Sequence, residues 1–574
     1  MASLIVPALD EQPWPTLGPQ VCDFIEERAI FGPGPLKGEP AALSPEKRAI
    51  VYRAYEINPK RHVLEGRRRF KRVGWSVRKG LAKTELLAWI TYVELHPEGP
   101  VRFDGWDANG EPVGRPVASP YIPLLSYNKD QVEELAYGAL MVVVGEGPDA
   151  DLFDVGGDRI IRLDERGRED GKAVPLAGSP NARDGARTTF QGFDEPHRLY
   201  LPRLHEAHDT MTANLPKRPD ADAWSLYVGT AGELGQDSIQ ERLHLEAQGM
   251  ATGKQKDPRF FYFHRDAGQT HNGDGTGHNL KTKRGRIAAI KEATGPDGEY
   301  GKGQFADIAE QWERPKANHG YLERVWLNLW VKSDRQAFDS ARCKELVEPD
   351  GFRKGALVVA GFDGARFRDA TAIVITSVRT GQQKLWGLWE RPADLPEDAD
   401  WEVPEAEVSA SVDKLMRDFK VWRFNGDPPY WTEALGAWAS KYPDVVEEWH
   451  TRLPTPMAYA CKDYADALKA GEITFADDQH RAWGSPVPNE TMIEAFLRHL
   501  AAAGKHPLNL YDDAGNQMWR LDKIHPERKF DAAMAAVLSR QAYLWALKKG
   551  ALQTKKRTST RVRRIGRAKT RTSR

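Results

Sequence analysis

Long apolar runs and paired cysteines are both missing from this sequence of 574 residues. No window approaches the roughly 18 uncharged apolar residues that a membrane-spanning helix needs. The residues after Met1 lack the basic and then apolar order of a secretory signal. Cys22, Cys343 and Cys461 are far apart and show no CxxC spacing, which argues against a disulfide framework and a zinc site. We therefore expect a cytosolic protein, away from membranes, with little redox chemistry.

The sequence also has no net charge, because 82 basic side chains balance 82 acidic ones. The basic side chains are concentrated at one end, since residues 548–574 contain 12 Lys or Arg and no acid. Large apolar groups are rare there, so we expect a disordered basic tail. Such a tail either contacts the phosphates of a nucleic acid, with an affinity that falls steeply with salt, or only adds solubility.

Chain length and pattern divide the sequence into two folded domains with flanking segments. Residues 1–43 are rich in Pro and Gly without sustained periodicity, which predicts an irregular arm. Residues 44–335 alternate short apolar runs with helical stretches, the pattern of an α/β domain with a mostly parallel sheet. A polar hinge, 336–354, precedes a second α/β domain, 355–547, which opens with three consecutive strands. The basic tail follows this second domain.

A basic loop in the first domain, RKGLAKTE from Arg78 to Glu85, has the form of a phosphate-binding loop. A Lys-Thr pair stands at a strand-to-helix turn, where Lys83 and backbone N–H groups can hold phosphates while the Thr84 hydroxyl binds magnesium. The match is imperfect, because Ala82 replaces the glycine expected before the lysine. Taken alone, the segment is equally well explained as a basic loop before an amphipathic helix.

Two later segments favour the nucleotide interpretation. TTFQGFDEP ends an apolar strand with adjacent acids, of which Asp194 would bind magnesium and Glu195 would activate the attacking water. In LYVGTAGELG a further strand ends near Thr230, from where a polar side chain can sense the terminal phosphate. The alternatives are an acidic pair on an ordinary surface and a simple strand-to-loop turn.

Three aspartates in the second domain have the arrangement expected of a two-metal site. Asp363 follows the strand ALVVAGF, Asp427 follows VWRFNG, and Asp531 opens the helix DAAMAAVLSRQAYLWAL. Carboxylates from separated segments suit two Mg²⁺ or Mn²⁺ ions, roughly 4 Å apart, that activate a water and stabilise the leaving oxygen of a phosphodiester. Individually, the three fit a turn residue, a turn cap and a helix N-cap. Asp369 is a lesser candidate, which would support the site or only enter the second strand.

Together these segments resemble the motif series of actinobacteriophage-type large terminases. The similarity extends from Ser44 to Leu547, and its most specific motifs are GFDGARFRDATAIV, FNGDPPYW and KFDAAMAAVLS. The resemblance implies an N-terminal P-loop ATPase of the ASCE type, with Glu195 as its catalytic acid, and a C-terminal RNase H-like nuclease. It implies a metal-binding triad of Asp363, Asp427 and Asp531. The ATP-binding residues that it implies are Arg78, Lys79, Gly80, Lys83, Thr84, Asp194 and Thr230.

The same resemblance implies an ATP-driven translocase that packages double-stranded viral DNA into the procapsid, and an endonuclease that cuts concatemeric DNA. The implied cofactors are ATP and Mg²⁺, with Mg²⁺ or Mn²⁺ at the nuclease site. The implied partners are a small terminase subunit and the portal protein, on which copies of the chain would form a ring in the host cytoplasm without entering the mature virion. Ala82 is the departure that bears on ATP turnover, and we expect Gly80 to supply the flexibility of the loop.

Two other classes of protein fit parts of the sequence. One is a standalone RNase H-like magnesium nuclease of the resolvase or integrase type, whose N-terminal domain does not hydrolyse ATP. The other is a non-enzymatic DNA- or capsid-binding protein that acts through its basic tail. ATPase activity distinguishes a terminase from the standalone nuclease. Metal-dependent cleavage that needs the three aspartates distinguishes it from the non-enzymatic protein.

Overall fold

The structure is a computed structural model of the whole chain. It describes residues 3–127, 136–177, 186–273, 275–315, 317–331, 336–367, 369–392, 395, 400–487, 489–513, 515–524 and 528–552. The chain divides into two compact units, Met1–Gln336 with His525–Arg528, and Ala337–Ile524 with Lys529–Arg574. Within the described ranges, no helix is long and apolar enough to cross a membrane.

The first unit is an α/β unit built on a nine-stranded sheet. In chain order its strands are β1 (Ser3–Val6), β2 (Arg72–Ser76), β3 (Arg102–Trp106), β4 (Pro112–Arg115), β5 (Tyr121–Ser126), β6 (Phe153–Val155), β7 (Ile160–Leu163), β8 (Glu169–Ala177), β9 (Phe190–Asp194), β10 (Trp224–Gly229), β11 (Phe260–Arg265), β12 (Thr270–His271) and β13 (His278–Asn279). The sheet order is β1-β11-β2-β10-β9-β5-β8-β7-β6, and the strands from β11 to β8 run parallel. The predicted α/β class with a mostly parallel sheet is confirmed.

Helices cover this sheet, as the buried strands require. They are α1 (Gly18–Arg28), α2 (Pro45–Ala54), α3 (Lys83–Leu95), α4 (Ala136–Gly145), α5 (Pro202–Ala213), α6 (Ile239–Ala251), α7 (Lys283–Thr294), α8 (Gln304–Glu310) and α9 (His319–Leu327). α3 is buried on nearly every side, with Leu87, Trp89 and Val93 at most 1% exposed. Since an all-round apolar helix belongs in a core, the start of α3 is held rigidly next to the sheet.

The N-terminal residues belong to the fold, so the irregular arm predicted for residues 1–43 is wrong. β1 pairs antiparallel with β11 at the edge of the sheet. α1 buries Val21, Cys22 and Ile25 in the main core. The high Pro content concealed this helix, because Pro19 stands in its first turn, where a missing backbone N–H breaks no helical hydrogen bond.

The second unit contains a seven-stranded sheet. In chain order its strands are β14 (Val347–Pro349), β15 (Leu357–Gly364), β16 (Thr371–Ser377), β17 (Gln383–Trp389), β18 (Lys420–Gly426), β19 (Val446–Glu448), β20 (Phe475–Asp477), β21 (Ala503–Tyr511) and β22 (Gln517–Lys523). The sheet order is β14-β20-β17-β16-β15-β18-β19, and β21 and β22 form a separate hairpin. β15, β16 and β17 are an antiparallel meander, and β18 and β19 continue parallel to β15. The three-strand meander that the sequence predicts is present, and the sheet as a whole is mixed.

A long C-terminal helix packs across the centre of that sheet. The helices of this unit are α10 (Ser340–Glu345), α11 (Glu405–Asp418), α12 (Thr432–Lys441), α13 (Pro454–Ala470), α14 (Met492–Ala502) and α15 (Asp531–Lys548). α15 contacts β15, β16 and β18. It approaches β15 closely at Gly361, where a Cβ atom would lie 2.1 Å from the Ala535 carbonyl oxygen and 2.4 Å from the Ser539 nitrogen. A glycine is therefore required at this crossing.

Residues 336–354, predicted as a polar hinge, contain regular structure, and this corrects the prediction. α10 buries Cys343, and Leu346, directly after the helix, is buried with it in the core of the second unit. β14 pairs parallel with β20 at the edge of the sheet. A short helix needs only one narrow apolar stripe, here Cys343 and Leu346, three residues apart. The segment can therefore be polar overall and still form a helix. Of the predicted basic tail, residues 553–574 lie outside the described residues.

Candidate functional site

The basic loop of the first unit joins β2 to α3, as its strand-loop-helix pattern predicts. Gly80 (φ 83°) and Ala82 (φ 53°) both have a left-handed backbone. Glycine adopts this conformation freely, whereas it costs an alanine roughly 1 kcal/mol or more. The loop therefore turns at two positions with positive φ, and Ala82 carries strain directly before the helix.

Lys83 is buried at the start of α3, with 5% of its surface exposed. Its Nζ donates a hydrogen bond to the Arg78 carbonyl oxygen at 3.1 Å, so the ammonium group folds back against the loop. Burial lowers the pKa of Lys83, while the charges of Glu195 and Asp194 favour the protonated form. The loop thus holds a cation close to two carboxylates.

Thr84 and Asp194 are in direct contact although 110 residues separate them in the chain. The Thr84 hydroxyl donates to Asp194, with Oγ1 lying 3.1 Å from Oδ2 and 3.3 Å from Oδ1. Burial and the neighbouring charge of Glu195 raise the pKa of Asp194 to about 7. A hydroxyl beside a carboxylate with a high proton affinity suits a hard divalent cation, which would replace the proton.

Glu195 lies between Lys83, His197 and Thr230. Its Oε2 is 2.9 Å from His197 Nδ1 and 3.5 Å from Thr230 Oγ1. Burial alone would raise the pKa of Glu195, but the charge of Lys83 and the hydrogen bond with His197 outweigh it and lower the pKa. The carboxylate is therefore ionised, the form that orients a water and accepts a proton. His197 was not among the predicted site residues, and its only sequence signal is its place two residues after Glu195.

Arg78 is buried beneath the loop and hydrogen-bonded within the protein. Its Nε donates to Thr294 Oγ1 at 2.5 Å, and its Nη1 donates to the Lys79 carbonyl oxygen at 2.7 Å. Burial lowers the pKa of Arg78 to about 10. Lys79 and Gly80 are exposed. Arg78 therefore lies on the buried side of the loop and is held there by these hydrogen bonds. Lys79 and Gly80 form the exposed side of the loop.

Asn328, which no sequence motif indicates, links three strand ends around the loop. Its Nδ2 donates to the carbonyl oxygens of Ser76 at 3.2 Å and Arg265 at 2.8 Å. Its Oδ1 accepts the Ala231 backbone N–H at 2.7 Å. One fully buried side chain therefore joins the ends of β2, β10 and β11, which fixes the edge of the sheet that carries the loop.

The three aspartates predicted in the second unit lie at one end of its sheet. Asp363 stands near the end of β15, and the Asp427 backbone N–H donates to the Phe362 carbonyl oxygen at 3.1 Å, directly beside it. Asp531 is the first residue of α15. Burial and the charges of Asp531, Asp427 and Asp369 raise the pKa of Asp363 well above its usual range. The structure thus brings together acids from three segments, of which Asp363 and Asp531 are 168 positions apart in sequence.

Asp531 lies close enough for its charge to act on Asp363. Its Oδ2 is buried and has no hydrogen-bond partner. Burial and the charge of Asp369 raise the pKa of Asp531 to about 8. In the described part of the chain, no three acidic, His or Cys side chains converge as a ready set of ligands for one ion. Because Mg²⁺ keeps several waters and needs only one or two protein carboxylates, the unpaired oxygen still fits such an ion.

Thr451, Lys523 and Lys529 also reach the cluster, and no sequence pattern pointed to them. The Thr451 hydroxyl donates to Asp427 Oδ2 at 2.5 Å, and its backbone N–H donates to Oδ1 at 3.1 Å. Asp369 pairs with the ammonium groups of Lys523 and Lys529. Asp369, a lesser candidate in the sequence, is therefore an electrostatic part of the cluster.

Comparison with models of protein families gives no match. The sequence is 24% identical over 510 residues to the Gene 13 protein of Mycobacterium phage L5. The aligned region covers 82% of this chain and 80% of that protein. It is 23% identical over 516 residues to the Gene 13 protein of Mycobacterium phage D29, with 82% and 79% covered.

Among solved structures, the large terminase of bacteriophage HK97 is 16% identical, covers 92% of this chain and 100% of its own, and has a TM-score of 0.47. The large terminase of a thermophilic bacteriophage is 10% identical, with 87% and 99% covered and a TM-score of 0.31. The magnesium-bound nuclease of the large terminase from thermophilic phage G20c is 14% identical, with 36% and 98% covered and a TM-score of 0.25. The chain is similar to bacteriophage large terminases.

Proposed function

We propose that the chain is the large terminase subunit of a tailed bacteriophage, an ATPase that drives the packaging of double-stranded DNA and a metal-dependent endonuclease that cuts it. The observation that carries the proposal is the presence of two sites in one chain. One is the Thr84–Asp194 pair beside the phosphate loop. The other is the group of carboxylates at the end of an RNase H-like sheet. A standalone nuclease needs only the second site, and a binding protein needs neither.

In the proposed motor site, each residue near the loop has a separate task. The backbone N–H groups at the start of α3, together with Lys83, bind the ATP phosphates. Thr84 and Asp194 would hold Mg²⁺, which would offset the charge of the phosphate groups. Glu195 orients the attacking water and accepts its proton. His197 fixes the direction of the Glu195 carboxylate, since their side chains lie 2.9 Å apart.

In the proposed nuclease site, Asp363, Asp427 and Asp531 would hold the divalent cations. Two such cations would supply the positive charge that activates a water and stabilises the leaving oxygen of the phosphodiester. Thr451 keeps both oxygens of Asp427 in place through its hydroxyl and its backbone N–H. The sheet supplies rigidity, because Asp363 and Asp427 stand at the ends of adjacent hydrogen-bonded strands.

The proposal extends to partners and location through the resemblance of the motifs. A small terminase subunit would recognise the viral DNA, and the portal protein would receive a ring of copies of this chain. Assembly would take place in the host cytoplasm, at the procapsid. Support for this part is the similarity to phage proteins over four fifths of the chain.

The nuclease assignment is tested by DNA cleavage in Mg²⁺ and Mn²⁺. Asp427→Asn should lower the cleavage rate by at least about 100-fold, because an amide lacks the charge that a divalent cation needs. Asp466→Asn, at an exposed position on α13, is the matched control and should cleave like the wild type. Unchanged cleavage by Asp427→Asn would contradict the nuclease assignment.

The motor assignment is tested by ATP hydrolysis in the same preparations. Lys83→Ala should abolish hydrolysis and leave DNA cleavage intact, since each compact unit has its own core. Lys302→Ala, in an exposed loop of the first unit, should hydrolyse ATP normally. Equal hydrolysis rates for Lys83→Ala and the wild type would rule out the motor site. Cleavage without any ATPase activity would favour the standalone nuclease.

A further inference from the structure

Two lysines are built into the acidic cluster of the second unit. Lys523 ends β22, and Lys529 precedes the start of α15 by two residues. The ammonium group of Lys523 pairs with Asp369 Oδ2. That of Lys529 lies 3.2 Å from Asp369 Oδ1, an ion pair without the alignment of a hydrogen bond. All three side chains are about three-quarters buried.

The negative charges around Lys523 and Lys529 explain why the acidic cluster needs two positive groups. Burial disfavours the ionised forms of Asp363 and Asp531, and the charge of Asp369 adds to this unfavourable energy at both aspartates. Lys523 and Lys529 act in the opposite direction on Asp531 and favour its ionised form. His450 and Arg452 serve Asp427 in the same way on the other side of the cluster.

A cation in direct contact with the cluster also competes with any other cation that binds there. The positive charge of an ammonium group repels a divalent ion several ångströms away, and this repulsion is strong where the surroundings are partly buried. The buried Asp531 Oδ2 has no hydrogen-bond partner, so neither lysine occupies this oxygen.

We propose that Lys523 and Lys529 are built-in counter-cations of the nuclease site, which stabilise the metal-free cluster through Asp369 and lower its affinity for divalent cations. This inference rests on the proposed nuclease function. It assigns the two lysines a role in metal affinity, which differs from binding the DNA backbone. The site is thereby kept folded before metal arrives, and it binds metal more weakly than its carboxylates alone would.

The test uses the full chain without DNA and a double variant, Lys523→Met with Lys529→Met, which keeps most of the side-chain volume. Calorimetric titration with Mn²⁺ should give a Kd about tenfold lower for the variant, because the repulsion by two ammonium groups is removed. Without metal the melting temperature of the variant should be lower than that of the wild type, and saturating Mn²⁺ should narrow the difference.

Three further proteins keep the test decisive. Lys505→Met, on the same hairpin with its ammonium group over the Trp519 ring, should bind Mn²⁺ like the wild type. Lys523→Arg keeps the charge and should also match the wild type. If the double variant does not fold, Lys529→Met alone should still bind Mn²⁺ more tightly. Equal or weaker Mn²⁺ binding by the lysine-to-methionine variants would overturn the inference alone, whereas no Mn²⁺ binding by the wild type would overturn the nuclease function as well.

Discussion

Ala82 lies in the loop between β2 and α3, at the position before Lys83 where a phosphate-binding loop has glycine, and its backbone is left-handed. Replacement by glycine removes the conflict between the Cβ atom and this conformation. We expect Ala82→Gly to raise the free energy of unfolding by about 1 kcal/mol. Urea denaturation of the purified protein measures this change.

The control is the same alanine-to-glycine change at a position with an ordinary helical backbone. Ala288 lies inside α7, where alanine is the best helix former. Ala288→Gly should therefore lower the free energy of unfolding by about 1 kcal/mol. If both substitutions destabilise the protein equally, the left-handed strain at Ala82 is not significant.

Asp531 gives the metal-free protein a distinctive dependence on pH. Its folded pKa, about 8, is higher than the value of roughly 4 expected in an unfolded chain. The folded state therefore binds the proton more tightly, and the resulting stabilisation is complete below pH 4 and lost as the pH rises towards 8. We expect Asp531→Asn, which stays neutral, to gain stability relative to the wild type as the pH rises through this window.

Unfolding by urea at pH 5 and pH 8 in the presence of a chelator measures this difference. Asp466→Asn, at an exposed site on α13, should show no such gain. A constant difference between Asp531→Asn and the wild type at both pH values would mean that the aspartate is ionised throughout.

At the scale of elements, the position of α15 decides whether the aspartates meet. α15 crosses β15 at Gly361, and the Ala532 backbone N–H at its start donates to His499 Nδ1 at 3.2 Å. This bond satisfies one of the unpaired amides of the first helical turn. Together, the close crossing and the hydrogen bond fix where Asp531 enters the cluster.

Gly361→Ala tests this crossing. The new Cβ atom would lie far inside contact distance of the α15 backbone, so α15 must move away from β15. We expect a loss of about 1–3 kcal/mol in the free energy of unfolding and a marked loss of metal-dependent cleavage. Gly436→Ala, at an open position inside α12, should instead be neutral or stabilising. Normal cleavage by Gly361→Ala would contradict the close packing of α15.

At the scale of the whole molecule, the neutral total charge conceals an uneven distribution. The ten Lys or Arg residues of 553–574 carry no compensating acid. We expect deletion of 553–574 to weaken DNA binding and to flatten its dependence on salt, because each phosphate contact releases counterions. Fluorescence anisotropy at several salt concentrations measures the slope, with a tail of equal length lacking Lys and Arg as the control. An unchanged slope would leave solubility as the role of the tail.

The sequence by itself determined the local parts of this protein. Apolar runs set the buried strands, the Lys83–Thr84 pair marked a strand-to-helix loop, and strand ends marked Asp363 and Asp427, because each of these signals lies within a few neighbouring residues. Only the tertiary structure showed that β1 and α10 are regular elements, since short elements carry too few apolar residues for a recognisable period.

Tertiary structure alone also supplied the partners of the site residues. Asn328, Thr451 and the lysine pair reach their contacts from segments far away in sequence. Local periodicity carries no information on such contacts, because they depend on how the chain closes its long loops and which buried polar groups then need a partner. The sequence therefore determined which residues can carry the chemistry, and the packing of distant segments decided the charges and hydrogen bonds under which they act.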